Sequence, residues 1–183
     1  MKKLLGIIVL NLLLSGNAYA AKVSDYQVAG FSVGDSALDF YTKKELADNY
    51  EKWNEPKYGT SEIEINKDGF DDIQLIYKPK DPEFKIEGIS ALEYMDAKDC
   101  LKKLDDQASS IEGQFTPQEV KFSKKKKKNY PGKGKVTSIQ IKFKSDKGVI
   151  IIACYDWSDS YAAKMDYNDN LRFSIRSKSY ANF

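Results

Sequence analysis

The stretch Gly148-Val149-Ile150-Ile151-Ile152-Ala153-Cys154-Tyr155-Asp156-Trp157 decides the fold of this 183-residue chain. It contains the longest apolar run beyond residue 20, one of the two cysteines and one of the two tryptophans. Because residues 149–153 have no polar interruption, we predict a strand in the middle of a sheet, covered on both faces. We therefore place Ile151 and Trp157 in the structural core.

The neighbouring sequence supplies partners for this strand. Residues 136–144 alternate between polar and mostly apolar side chains, and Ser145-Asp146-Lys147-Gly148 is typical of a turn. Leu171, Phe173 and Ile175 alternate with polar residues in a last strand. The pattern predicts an antiparallel meander of three strands.

A similar order of elements precedes it. Thr42 and Glu45 have the spacing of a capping box, which predicts a helix from there to about Trp53, before Pro56. Residues 61–66, 70–77 and 84–92 then predict three strands.

Residues 96–115 give the clearest helical pattern. Apolar side chains recur on one face at Cys100, Leu104, Ala108 and Ile111, so we place Leu104 in the core. The predicted fold is α+β: an antiparallel sheet of about six strands in two meanders, with two main helices packed on one side.

The two cysteines are predicted to form a disulfide across the interface between helix and sheet. Cys100 lies on the apolar face of the helix and Cys154 in the buried strand. Export to an oxidising compartment favours pairing. The Cys-x-x-Cys spacing of a thioredoxin-like redox site is missing.

The N-terminus has the three parts of a secretory signal. Lys2 and Lys3 precede an apolar stretch from Leu4 to Leu14, and small residues follow up to Ala20. We expect cleavage after Ala20, a single domain over residues 21–183, and a periplasmic or secreted protein without a membrane span. Residue 21 is Ala, so the lipid-bearing Cys of a lipoprotein is missing.

Composition excludes several chemistries. There is no histidine, so Ser-His-Asp and Cys-His catalysis and His-containing zinc sites are excluded. We predict no metal and no cofactor. Residues 35–119 carry 21 acidic and 11 basic residues, whereas residues 120–183 carry 5 acidic and 15 basic residues. Halves of opposite charge would give a polarised surface if they stay apart in space.

Residues 121–135 hold eight lysines and predict an exposed basic loop. The unbroken run Lys124, Lys125, Lys126, Lys127 and Lys128 is a candidate site for anions such as phosphate groups. A solvated loop without a ligand is the simpler alternative, since charge runs are usually solvated. The loop lacks the aromatic and arginine side chains of a nucleic-acid site, and we predict no nucleic-acid partner.

Two patterns suggest hydrolases without completing a catalytic site. Gly34-Asp35-Ser36-Ala37-Leu38 resembles the Gly-Asp-Ser-Leu block of a family of lipases and esterases, but the required histidine is absent, so we interpret Ser36 or Asp35 as a helix cap. Asp156, Asp159, Asp166 and Asp169 cluster in the sequence, and paired carboxylates can hydrolyse glycosides. We assign no catalytic residue.

Two blocks carry a resemblance to a known family. Residues 30–40, Gly-Phe-Ser-Val-Gly-Asp-Ser-Ala-Leu-Asp-Phe, and residues 154–158, Cys-Tyr-Asp-Trp-Ser, resemble an uncharacterised family of small exported proteins from marine alphaproteobacteria such as the Pelagibacter group. The resemblance implies export and no established activity.

These observations favour a non-catalytic binding or interaction module of the cell envelope. Its partner is unidentified, and an envelope protein or an anionic envelope surface fits the charge pattern. The alternatives are a carboxylate-based hydrolase and a small-molecule carrier with a pocket between helix and sheet.

Overall fold

A computed structural model describes residues 26–51, 57–115, 120–128, 136–145 and 147–181. An eight-stranded antiparallel sheet with the order β3-β4-β5-β6-β10-β9-β8-β7 forms its centre, beside a small sheet of β1 and β2. The strands are β1 (Gln27–Val28), β2 (Phe31–Ser32), β3 (Tyr50–Glu51), β4 (Gly59–Lys67), β5 (Phe70–Tyr77), β6 (Ile86–Tyr94), β7 (Lys121–Lys128), β8 (Val136–Lys144), β9 (Gly148–Trp157) and β10 (Asn170–Ser177). The α-helices are α1 (Lys43–Asp48), α2 (Ala97–Glu112), α3 (Asp159–Met165) and α4 (Lys178–Ala181).

The α+β class and both predicted meanders are confirmed. The first meander is β4-β5-β6, and the second is β8-β9-β10. They are joined where β10 pairs with β6 at the middle of the sheet. The sheet has eight strands instead of about six, because β3 and β7 add one edge strand on each side.

One long helix, α2, covers one side of the sheet, which we call the helix face. Cys100 and Leu104 of α2 are fully buried, as are Ile150 and Ile152 of β9. The predicted disulfide is present: Cys100 is bonded to Cys154, and their Cα atoms lie 5.8 Å apart. The strand at residues 149–153 is buried on both faces, as predicted.

The first predicted helix is much shorter than expected. Thr42 and Glu45 form the capping box, but α1 ends at Asp48 and buries only Leu46. The Asn49 amide donates to the Glu45 carbonyl 2.9 Å away, and β3 follows at once. Asparagine favours such local bonds over helix continuation, so the chain leaves the helix there. The prediction of two main helices is therefore wrong, while Trp53 and Pro56 lie outside the described residues.

The predicted basic loop at residues 121–135 is wrong over Lys121–Lys128, which forms the edge strand β7. Every residue of β7 pairs with β8. The Phe122 ring packs against Phe143, with ring centroids 5.5 Å apart. Lysine is common on exposed edge strands because charge opposes pairing with another chain. Residues 129–135 lie outside the described residues.

The side of the sheet opposite α2 carries many polar residues, and we call it the polar face. On this face, Arg172, Ser174 and Arg176 of β10 lie beside Ile151 and Tyr155 of β9. The short helix α4 packs against β9 and β10 at the end of the sheet where β10 ends. The buried polar side chains of this face are Thr60, Gln74, Ser90, Ser138, Gln140, Asn170 and Ser174.

The sheet order separates the strands of the two charged parts of the chain, whereas α2 of the acidic part packs on β8, β9 and β10. Strands β3 to β6 come from the acidic part of the sequence and occupy one half of the sheet, while β7 to β10 occupy the other. None of the described helices is both long enough and apolar enough to cross a membrane.

Candidate functional site

A pocket of about 160 Å³ lies at the end of the polar face where β9 begins and β10 ends. We call it the basic pocket. Four cationic residues line it, and the part of the chain that the structure describes contributes no acidic residue to the lining. The lining residues are Lys142, Lys144, Ser145, Gly148, Val149, Ile151, Arg176, Lys178 and Ala181.

Arg176 is held in place by packing. It projects from β10 onto the polar face, and its guanidinium carbon lies 5.2 Å from the centre of the Tyr180 ring in α4. Its Nε is buried and has no hydrogen-bond partner among the described residues. A guanidinium offers a planar fork of donors that matches carboxylate and phosphate oxygens. Arg176 lines the pocket with its guanidinium positioned by Tyr180, and the Nε of Arg172 is likewise buried without a hydrogen-bond partner among the described residues.

Glu87 fixes α4, which forms one wall of the basic pocket. Its Oε2 accepts hydrogen bonds from Ser177 (2.5 Å) and Ser179, and its Oε1 accepts one from Lys78 at 2.7 Å. Burial alone would raise the pKa of Glu87, but these hydrogen bonds outweigh it and lower the pKa to about 2. The Glu87 carboxylate thus stays charged and tethers the start of α4.

Glycine at position 88 allows α4 to pack closely. A Cβ atom at Gly88 would lie 3.0 Å from Cδ1 of Tyr180 and 3.2 Å from Cδ1 of Ile76. Any side chain there would displace Tyr180, the ring against which Arg176 stacks.

The two arginines of the polar face differ in their surroundings. Arg172 stacks on Tyr155 at 4.9 Å and donates to Gln74 over 3.4 Å. It also lies close enough to Glu62 to affect the pKa of that carboxyl, which burial raises and Arg172 partly lowers again. Within the described residues, Arg176 has no ion pair, so its positive charge is not balanced by a neighbour.

A second and larger opening lies at the opposite end of the same strands. We call it the acidic cleft, and its volume is about 400 Å³. Its lining residues are Tyr94, Met95, Asp96, Trp157, Asp159, Ala162, Tyr167, Asn168 and Asp169. Asp169 links the segments that line the cleft. Its Oδ1 accepts the Trp157 backbone N–H at 2.8 Å, and its carbonyl accepts the Met95 backbone N–H at 3.1 Å. Burial, and then the nearby Asp156, Asp96 and Asp159, raise the pKa of Asp169.

Of the predicted anion-binding lysines, Lys124 does not line the basic pocket. It points to the helix face, where its Nζ lies 2.5 Å from Asp105 of α2. The side chains of Lys125, Lys126, Lys127 and Lys128 lie outside the described part of the structure.

Ser36 serves as the cap that we predicted. It accepts the Leu38 backbone N–H at 3.2 Å, at the start of a 3₁₀ turn over Ala37–Asp39, and donates to the Glu83 carbonyl at 2.5 Å. Both bonds are structural, and neither activates the hydroxyl as a nucleophile.

The four clustered aspartates differ in their surroundings. Asp156 and Asp159 lie near Asp169 but are exposed, and Asp166 is the exposed left-handed residue that ends α3. Among the described residues there is no group of three or more carboxylate, cysteine or histidine side chains arranged to hold a metal ion.

The three predicted core residues occupy different environments. Leu104 of α2 is fully buried, and Ile151 is buried on the polar face at 7% exposure. Trp157 is partly buried: it packs against the buried cluster that contains Ile151 and Tyr155, and it also lines the acidic cleft.

The two arginines are a sequence feature that points to the basic pocket and that the sequence-based predictions missed. Arg172 and Arg176 are the only arginines in the chain, against 27 lysines, and their spacing of four puts both on one face of a strand. Lys144 and Arg176 both pair with Val149 of β9 within the predicted meander, whereas Lys178 joins them through α4, which the sequence patterns did not predict. Comparisons with protein-family models, with curated proteins and with solved structures found no match to this chain.

Proposed function

We propose that this protein is an exported, non-catalytic binding module that holds an anionic group of a cell-envelope component in the basic pocket. The observation that carries the proposal is the lining of that pocket: four cationic residues with no acidic residue from the described chain. Positive charge in a concave site attracts anions and concentrates them locally.

The size and chemistry of the pocket define the ligand group. A volume of about 160 Å³ is below the range of about 300–1,000 Å³ typical of sites for drug-sized molecules. It suits a phosphate or carboxylate group attached to a larger component that extends outside. Arg176, stacked on Tyr180, supplies a positioned guanidinium, and Lys144 and Lys178 at the rim supply charge.

Export is part of the proposal. The signal-like N-terminus and the resemblance to exported proteins favour it, and a disulfide fits an oxidising compartment such as the periplasm.

The alternative functions have less support. A hydrolase requires a positioned acid and base, and Asp156, Asp159 and Asp166 of the predicted cluster are exposed side chains. A carrier with a pocket between helix and sheet requires space under α2, where Cys100, Leu104 and Ile152 are in a closely packed, fully buried cluster.

The test uses the disulfide-bonded protein isolated from the periplasm. Inorganic phosphate and acetate serve as probes in isothermal titration calorimetry at low ionic strength. We expect saturable 1:1 binding of at least one probe, weakened at least about tenfold by the double variant Lys144→Gln/Arg176→Gln, since each lost charged hydrogen bond costs about 1.5–3 kcal/mol.

Arg172→Gln is the matched control, because it removes the other arginine of the same strand and face outside the pocket. A second control, Lys98→Gln/Lys102→Gln, removes two exposed charges from α2. Binding that is absent for both probes, or that falls equally in the controls and in the pocket variant, would overturn the proposal.

A further inference from the structure

Both outer edges of the eight-stranded sheet are open within the described part of the chain. At one end, β7 pairs with β8 on one side and with no described strand on the other, and we call it the basic edge. At the other end, β3 pairs only with Thr60 and Ser61 of β4. The acidic edge consists of β3 and of residues 62–67 of β4, which continue past it. An open strand edge presents backbone N–H and C=O groups with which another strand can pair.

The backbone of the acidic edge faces outward beyond β3. The Glu62 N–H donates to the Asn49 carbonyl at 3.0 Å, on the side of β4 away from β5. Backbone direction alternates along a strand, so the N–H and C=O of Glu64 face the same outer side. Among the described residues, no strand pairs with Glu64 there.

The two edges carry opposite charge. The strands β3, β4 and β5 contain five acidic residues and one basic residue, namely Glu51, Glu62, Glu64, Asp71, Asp72 and Lys67. By contrast, β7 contains six lysines and β8 two, with no acidic residue in either strand. Seven strand spacings of about 4.8 Å, roughly 34 Å in total, separate the two edges along the sheet. The charges of the two edges therefore cannot pair within one copy of the chain.

The acidic edge gathers carboxylates on the polar face. Glu62 lies opposite Gln74 of β5. Burial raises the pKa of Glu62, the hydrogen bond from Gln74 and the charge of Arg172 lower it in part, and the nearby Asp72 and Glu51 raise it again. Lysine side chains brought to this edge would reduce the repulsion among the three carboxylates.

Apolar side chains lie at both edges on the helix face. Phe122 of β7 is 47% exposed, although its ring packs on Phe143. At the acidic edge, Ile63 and Ile65 are only partly buried against the core. If two copies join with their helix faces on the same side, these side chains meet and lose exposed apolar surface.

We propose that the basic edge of one copy pairs with the acidic edge of a second copy, so that the sheet continues from copy to copy. Two copies joined through the same edge would place like charges opposite each other, which is unfavourable. The contact is therefore head-to-tail and leaves one open edge at each end, where further copies add. The lysines of β7 also exclude neutral and basic strands, so they select an acidic partner. This contact does not depend on the proposed anion binding.

The experiment is sedimentation velocity of the disulfide-bonded protein in a chloride buffer. At about 20 mM salt, we expect the average sedimentation coefficient to rise with protein concentration up to about 500 μM, with species larger than a dimer. At about 500 mM salt, the protein should return toward the monomer, because salt screens exposed charges. Hydrogen–deuterium exchange at low salt should become slower in residues 62–67 and 121–128 as the protein associates.

Charge reversal at each edge tests the pairing. The basic-edge variant Lys121→Glu/Lys125→Glu should weaken self-association at least about tenfold, and it leaves Lys124 and its ion pair with α2 in place. The matched control Lys98→Glu/Lys102→Glu makes the same change of charge at exposed positions of α2 and should associate like the unchanged protein.

The acidic-edge variant Glu51→Lys/Glu64→Lys changes two exposed side chains and should weaken self-association to a similar extent. An equimolar mixture of the two edge variants should associate again, because the unchanged acidic edge of one meets the unchanged basic edge of the other. Circular dichroism checks that both variants are folded. The proposal is overturned if the unchanged protein stays monomeric or stops at a dimer, if the control loses association as the edge variants do, or if the mixture does not associate.

Discussion

The two rows of side chains on β9 are both buried, yet they have different surroundings. Ile150, Ile152 and Cys154 face α2 and meet almost only apolar side chains. Val149, Ile151 and Tyr155 face the other way and lie beside Arg172, Ser174 and Arg176 of β10. On the helix face, the apolar run therefore stabilises the core. On the polar face, it lies between the basic pocket and the acidic cleft.

The comparison separates stability from binding. Changes on the helix face should lower the free energy of unfolding and leave the pocket and the cleft unaffected in the folded protein. Changes on the polar face should alter ligand binding with smaller effects on stability.

Removal of the disulfide should have the largest effect on stability. The double variant Cys100→Ala/Cys154→Ala opens a loop of 54 residues, which should lower the free energy of unfolding by about 4 kcal/mol in the chain-entropy account. Urea unfolding of the oxidised protein and of the variant measures the difference. Phosphate binding by the folded fraction should stay the same, and a loss of phosphate binding without a loss of stability would contradict the separation of the two faces.

Two adjacent isoleucines compare the faces directly. Ile152→Ala removes a fully buried side chain from the helix face and should cost about 3–4 kcal/mol, because the packed surroundings cannot close the cavity. Ile151→Ala should cost about 1–2 kcal/mol less, because Ile151 borders the basic pocket and flexible Lys142 can move into the space. Urea unfolding of both variants checks the order, and equal losses would show that the polar face is as tightly packed as the core.

The parts of the fold that follow regular patterns were predictable from the sequence. The 3.6-residue period of α2, the alternation of β4, β5, β8 and β10, and the facing cysteines each identified a correct element. The edge strand β7 was missed because consecutive lysines have no alternation, and its place depends on backbone pairing with β8. Similarly, α1 stops at a local side-chain bond from Asn49.

The candidate sites were less predictable than the fold. The basic pocket joins residues of β8, β9, β10, α4 and the turn before β9. The meander of β8, β9 and β10 was predicted, but α4, which closes the pocket, has too few residues for a helical pattern to appear in the sequence. The acidic cleft was anticipated in part, since Asp159 and Asp169 belong to the predicted aspartate cluster, but Asp96 and Tyr94 come from the other meander.

The variant Glu87→Gln should have the smallest effect on the free energy of unfolding, and it should change only how that free energy depends on acidic pH. The pKa of Glu87 in the folded protein is about 2, below its ordinary value of 4.5, so its contribution to stability is fully present above pH 4.5 and is lost as the pH falls from about 4.5 to about 2. Glu87→Gln should remove this part of the acid dependence. Urea unfolding between pH 2 and 6 measures it, with Glu112→Gln, at the exposed end of α2, as the control. An unchanged acid dependence in Glu87→Gln would show that Glu87 does not tether α4.

The most direct test is an NMR titration of the ¹⁵N-labelled, disulfide-bonded protein with phosphate. We expect phosphate to shift the amide signals of Lys144, Gly148, Arg176 and Lys178. No saturable shift at these residues, or shifts spread along α2 on the helix face, would contradict the assignment of an anion site to the basic pocket on the polar face.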